Sequence, residues 1–109
     1  ENYLFRRLYQ RGKTAADGRI ALYVRRNGGR ENRLGFTVST KVGCAVVRNR
    51  VRRRLREIYR LHEASLKNGV DVVIVARVRS AHSTYRQLDS SFLKLADKLG
   101  LIEKGEIEE

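Results

Sequence analysis

The stretch Lys41-Val42-Gly43-Cys44-Ala45-Val46-Val47-Arg48-Asn49-Arg50-Val51-Arg52-Arg53-Arg54-Leu55-Arg56-Glu57-Ile58-Tyr59-Arg60 decides how this chain folds. Val47, Val51, Leu55, Ile58 and His62 follow one stripe at about 100° per residue, which predicts a long helix over about Ala45–Leu66. Val42-Gly43-Cys44 reads as the loop entering it, and Asn68-Gly69 as its end. The quoted stretch holds eight basic residues and one acid, Glu57. On a helical wheel Asn49, Arg53, Arg56 and Arg60 lie opposite the apolar stripe. Arg50 and Arg54 flank it on one side, Arg48 and Arg52 on the other. Like charges three or four residues apart cost about 0.2–0.5 kcal/mol per pair in an isolated helix. A merely solvated face usually mixes its signs, and this one hardly does, so the pattern points to a polyanion.

Upstream, Arg19–Arg26 alternates, with Ile20, Leu22 and Val24 on one face and Ala21, Tyr23 and Arg25 on the other. Arg33–Lys41 alternates again, with Leu34, Phe36 and Val38 facing one way and Gly35, Thr37 and Ser39 the other. Asn27-Gly28-Gly29 between them is a turn signal, so the two runs are predicted to pair as a β-hairpin. Gly35 leaves the second face locally bare, open to a close approach. Nearer the N-terminus, Leu4, Phe5, Leu8 and Tyr9 predict a short helix over Asn2–Arg11, stopped by Gly12. Lys13–Gly18 reads as a loop or a short edge strand.

Downstream, Val70–Val78 is nearly continuous in Val, Ile and Ala, as in a strand buried on both faces. Thr84–Leu99 predicts a last helix, opened by a Thr84/Gln87 capping box and ended by Gly100. Its buried stripe is Tyr85, Leu88, Phe92, Leu95 and Leu99. Helix, strands, helix, strand, helix is an α+β order, with one βαβ-type crossover. Residues 1–102 form a single domain, and 103–109 an acidic tail expected to be mobile.

Composition narrows the function. The 109 residues carry 24 Lys plus Arg against 12 Asp plus Glu, a formal charge of +12. Arg contributes 18 of the basic residues, and its planar fork suits phosphates and stacks on bases. No apolar run approaches the ~20 residues of a membrane span. No signal peptide is legible. A single cysteine, Cys44, makes neither a disulfide nor a zinc site, which favours the cytoplasm.

The ordered set from Lys41 to Glu57 resembles the signature of the bacterial ribonuclease P protein subunit, with its Arg48-Asn49-Arg50 element followed by Arg52, Arg53 and Arg56. Phe5 and Tyr9, Gly12, Tyr23, the strand Leu34–Thr40 and the strand Asp71–Arg77 extend the resemblance over about residues 3–100. It implies an α-β-β-β-α-β-α fold, a mixed, mainly antiparallel sheet and a left-handed βαβ crossover. It implies contacts to the catalytic RNA from Lys41, Arg48, Asn49, Arg50, Arg52, Arg53 and Arg56. It also implies a cleft for the precursor-tRNA 5′ leader, matching Phe5, Tyr9, Tyr23, Thr37 and Ser39, with Arg25 and Phe36 beside them. The chain is then the non-catalytic protein subunit of an endonuclease that removes the leader from precursor tRNA. Its Mg²⁺ would be held mainly by RNA and substrate, none firmly by the protein. Ribonuclease P RNA and precursor tRNA are the expected partners, with no obligate protein partner and no membrane.

Rival readings are a ribosomal or other structural RNA-binding protein, a self-sufficient nuclease, and a DNA-binding helix-turn-helix. A two-metal nuclease needs converging carboxylates, and Asp17, Asp71 and Asp89 stand far apart in sequence. A helix-turn-helix needs a short partner helix just before the Arg helix, and none is visible. Cys44 is expected as a small packed thiol. His62 and His82 lack metal-ligand spacing and are expected in core or solvent.

Overall fold

Val70–Ala76 (β4) runs through the middle of the sheet, paired along both edges. The computed structural model describes residues 12–103. The other strands are Lys13–Ala16 (β1), Ile20–Arg26 (β2) and Arg33–Val38 (β3), and the order across the sheet is β1-β2-β4-β3. β2 pairs antiparallel with β1 and with β4, while β3 pairs parallel with β4. The two long helices are Ala45–His62 (α1) and Tyr85–Lys98 (α2). The result is a mixed α+β domain.

The expected hairpin between β2 and β3 does not form, because β4 lies between them. β4 has apolar residues on both faces and hydrogen-bonding edges on both sides, so it takes the centre. The hairpin is instead β1–β2, which settles Lys13–Gly18 as mostly an edge strand. Its turn is closed by Asp17, whose Oδ1 accepts the N–H groups of Arg19 and Ile20 at 2.8 and 3.0 Å. Asn27-Gly28-Gly29 forms a loop folded on its own side chain. Asn27 Nδ2 donates to the Glu31 carbonyl at 3.0 Å, and Asn27 Oδ1 accepts the Gly29 N–H at 2.7 Å. This loop rests on Gly69, whose φ is 78° and where a Cβ would fall 2.5 Å from the Gly29 carbonyl oxygen. Only glycine meets both demands.

One face of the sheet presents Ile20, Leu22, Val24, Val38, Val72 and Ile74 to the helices. Val51, Leu55 and Ile58 of α1 meet them, as do Leu88, Phe92 and Leu95 of α2, in one continuous core. Each fully buried Leu, Ile or Val contributes about 1.5–3 kcal/mol, so the α1 stripe outweighs the repulsion among its arginines. The capping box on α2 is present, with Gln87 N–H to Thr84 Oγ1 at 3.1 Å and Thr84 N–H to Gln87 Oε1 at 2.9 Å.

Two ends differ from expectation. α1 stops at His62, where a 3-10 turn over Glu63–Ser65 takes over and lets Leu66 turn into the core. β4 stops at Ala76, and Val78 stands exposed in a 3-10 segment, Val78–His82. After α2 the chain pairs back on itself through a Leu66–Ile102 bridge, and the Glu103 N–H reaches the Ser65 carbonyl at 2.8 Å. The expected first helix over Asn2–Arg11 and the tail residues after Glu103 lie outside the described residues.

Candidate nucleic-acid interface

The α1 arginines divide into two groups by what their heads touch. Arg48 Nε donates to the Gly43 carbonyl at 3.1 Å and so fastens the loop that opens the helix. Arg50 Nη2 reaches the Ala81 carbonyl at 3.4 Å, and Arg54 Nη1 the Ser83 carbonyl at 3.0 Å. These two tie α1 to the segment that leads into α2. Arg52 Nη1 donates to Asn49 Oδ1 at 2.8 Å, so Asn49 bonds within its own helix rather than to the opening loop. Arg53, Arg56 and Arg60 are exposed on the outer face, beside Asn49. The guanidinium of Arg56 lies 5.5 Å from the centroid of the Phe36 ring, a cation–π distance. Lys41 is exposed in the 3-10 turn Thr40–Val42, whose first residues are capped by Ser39 Oγ accepting the Lys41 N–H at 3.2 Å. Alternation along β3 puts Phe36 on the helix side with this ridge, on the opposite face from Tyr23.

The second sheet face carries neither α1 nor α2. Register aligns Tyr23, Val73 and Gly35 in one row across β2, β4 and β3, and Ala21, Val75 and Thr37 in the next. Tyr23 and Thr37 are half-buried there and Ser39 is exposed just beyond. Gly35 presents no side chain, and a Cβ placed on it would make only ordinary contact with Val73 at 3.7 Å. Phe5 and Tyr9 fall outside the described residues.

The third row is an ionic cluster. Asp71 is 2% exposed and sits between Arg25 and Arg33 in register. It accepts Arg33 through both oxygens at 2.8 and 2.9 Å, Asn27 Nδ2 at 3.0 Å and Arg25 Nη2 at 3.3 Å. Burial alone would raise the Asp71 pKa, but these hydrogen bonds outweigh it and hold the carboxyl below its ordinary value. Arg25, expected beside the cleft, is committed to this carboxylate and is only 11% exposed along its side chain. Sequence reasoning weighed Asp71 only as an isolated carboxylate and missed its ion pairs. The available signal was an acid inside an apolar strand, a position a charge occupies only with partners.

A second missed pair joins the helices. His62 Nε2 lies 2.7 Å from Asp89 Oδ1, and the imidazole stacks on Phe92 at 6.2 Å between centroids. Cys44 is exposed at the start of α1 rather than packed. The Val47 and Val46 N–H groups at the helix opening lower its thiol pKa, with Arg48 adding to the effect. Among the described residues, no three His, Cys, Asp or Glu side chains gather as a metal site, and no helix is long and apolar enough to cross a membrane.

A four-stranded mixed sheet, backed on one face by two helices of which one presents a row of exposed arginines, defines a small cationic α+β binding protein. Residues 1–100 match the family model described as Ribonuclease P, and the chain belongs to the ribonuclease P protein component family. It is 43% identical over 102 residues to the ribonuclease P protein component of Alkaliphilus metalliredigens, covering 94% of this chain and 92% of that one. The protein component from Caldanaerobacter subterraneus subsp. tengcongensis is 45% identical, with 94% and 88% covered. Among solved structures, the RNase P protein of Staphylococcus aureus superposes with a TM-score of 0.84 at 28% identity, covering 94% of each chain. That of Thermotoga maritima gives 0.77 at 27%, with 92% of each covered. Ribonuclease P is an endoribonuclease holoenzyme, and its catalytic role lies with the RNA.

Proposed function

We propose that this chain grips the ribonuclease P RNA through the outer face of α1 and steadies the 5′ leader of precursor tRNA on the second sheet face. The observation that carries the reading is the exposed row of Arg53, Arg56 and Arg60, whose heads no described acid occupies. Such groups release counterions when they meet phosphates, and that gain supplies most of the affinity for RNA. Arg48, Arg50 and Arg52 shape the ridge through their own hydrogen bonds and add charge to it. Lys41 extends the charge past the helix start.

On the other face, Tyr23, Thr37 and Ser39 stand around Gly35, and in this reading a single strand lies along them. Phe5 and Tyr9 complete the stacking surface in this reading, since aromatic faces bind unpaired bases with little sequence demand. Phe36 and Arg25 take no part in the strip, being committed to Arg56 and Asp71. Mg²⁺ stays with RNA and substrate, and the protein's positive field lowers the amount needed. The assembly works in the cytoplasm.

The test is precursor-tRNA cleavage at low Mg²⁺ with protein alone, ribonuclease P RNA alone, and both together. Activity only with both supports the reading. Cleavage by purified protein alone overturns it. Tight RNA binding without stimulation shifts the assignment to a structural RNA-binding protein such as a ribosomal component.

A further inference from the structure

A cavity of about 440 Å³ opens between the sheet and the end of α2, at the end of the sheet where β1 starts and β2 finishes. Its apolar floor includes Val24, Val70 and Leu101, all under 10% exposed. Lys13, Arg26 and Lys67 stand on its rim, exposed. Every charged residue among its described lining is basic. The side-chain heads of these three have no hydrogen bond or ion pair among the described residues, unlike Arg33, whose guanidinium Asp71 occupies. Arg25 also borders the cavity, and its buried Nε has no acceptor. Two carbonyls near the end of α2, those of Ala96 and Asp97, are taken by the chain that follows. The Gly100 N–H closes on the Asp97 carbonyl at 3.0 Å and the Leu101 N–H on the Ala96 carbonyl at 2.9 Å. None of the ridge residues borders this cavity, and neither does Tyr23, Thr37 or Ser39.

An apolar floor beside three exposed cations, unpaired among the described residues, suits a ligand with a flat, weakly polar body and an anionic end. The volume falls within the range of small-ligand pockets, about 300–1,000 Å³. We propose that this cavity holds one nucleotide, its phosphate among Lys13, Arg26 and Lys67 and its base on the Val24–Val70–Leu101 floor. The nucleotide is either free in solution or one residue of an RNA strand. The site stands apart from the α1 ridge, so its failure leaves the ridge reading untouched.

The test titrates the full chain with adenosine monophosphate, adenosine, inorganic phosphate and a short oligoadenylate, by calorimetry. The background carries Arg53→Glu and Arg56→Glu, which weakens the contribution of the ridge. A Lys13→Gln/Arg26→Gln/Lys67→Gln variant is compared with it, and circular dichroism checks that these exposed changes leave the fold intact. The expected result is monophosphate binding at least about tenfold tighter than adenosine or phosphate, weakened about tenfold or more by the triple change. Oligoadenylate binding that depends on the same three residues, without monophosphate binding, places the nucleotide in an RNA strand and also supports the proposal. Phosphate binding as tight as the monophosphate overturns it. So does binding indifferent to the triple change, or no binding by either nucleotide ligand.

Discussion

Arg33 grips Asp71 in a two-pronged ion pair across the parallel edge of the sheet, Nε to Oδ1 at 2.8 Å and Nη2 to Oδ2 at 2.9 Å. The carboxylate is buried but the Arg33 side chain is 66% exposed, so the two partners have unequal stakes. Arg33→Ala leaves Asp71 with Asn27 and Arg25 and is expected to cost less than Asp71→Asn. Asp71→Asn strips the buried Arg25 of its counter-charge. A broken buried pair costs about 3–5 kcal/mol, and the exposure of Arg33 reduces that to about 2–3 kcal/mol here. Urea unfolding of the two variants checks the order. Equal losses would mean that Arg25 is well solvated without Asp71.

The same cluster sets a pH dependence. The folded-state pKa of Asp71 lies below its unfolded value, so its stabilisation is fully present above the ordinary carboxylate range. It is lost as pH falls through the depressed folded value, once Asp71 binds a proton. Stability of the native chain is therefore expected to fall more steeply below about pH 4 than that of Asp71→Asn. Parallel acid limbs in thermal melts would remove Asp71 from the account.

The α1 arginines divide into exposed heads and heads bonded to neighbouring groups, and mutations separate the two. Arg53→Glu with Arg56→Glu is expected to weaken binding of the ribonuclease P RNA and lower its salt slope by about one for each lost phosphate contact. Their heads meet no acid among the described residues, so stability changes by no more than about 1 kcal/mol, the scale of the lost Arg56–Phe36 contact. Arg54→Ala is expected to do the reverse, costing about 1–2 kcal/mol of stability by freeing the Ser83 carbonyl, with a smaller change in slope. An unchanged slope in the double variant would take Arg53 and Arg56 out of the interface.

His62 and Asp89 fasten α1 to α2 next to Phe92. Both are partly exposed, so the pair is worth less than a buried one. A double-mutant cycle with His62→Ala and Asp89→Ala is expected to give a coupling of about 0.5–1 kcal/mol. Strict additivity in chemical denaturation would reduce the contact to proximity.

Tyr23 is the described aromatic on the second sheet face. Tyr23→Ala is expected to weaken leader-bearing precursor tRNA by several-fold, consistent with about 1–3 kcal/mol per stacked base, and mature tRNA hardly at all. Gel-shift titrations of the holoenzyme compare the two. Equal losses would make Tyr23 a structural residue.

Local pattern alone determined much of this molecule. The valine, leucine and isoleucine spacing from Val51 to Ile58 set the α1 core face, because a helix exposes every third or fourth residue to the same neighbour. The apolar run of β4 told of burial on both faces, and Thr84 with Gln87 marked the start of α2. Such signals are contained within one turn or one strand. Tertiary structure decided who neighbours whom. β2 and β3 both alternate correctly, yet β4 separates them, because alternation specifies a face and is silent about the partner across the hydrogen bonds. A helical wheel likewise sorted the arginines by direction but not by contact. Whether a head meets a carbonyl, as Arg54 does, a ring, as Arg56 does, or open solvent depends on which element packs beside the helix. Asp71 shows the same division. Its sequence position announced that a buried charge needed partners, and only the strand order brought Arg25 and Arg33 to either side of it.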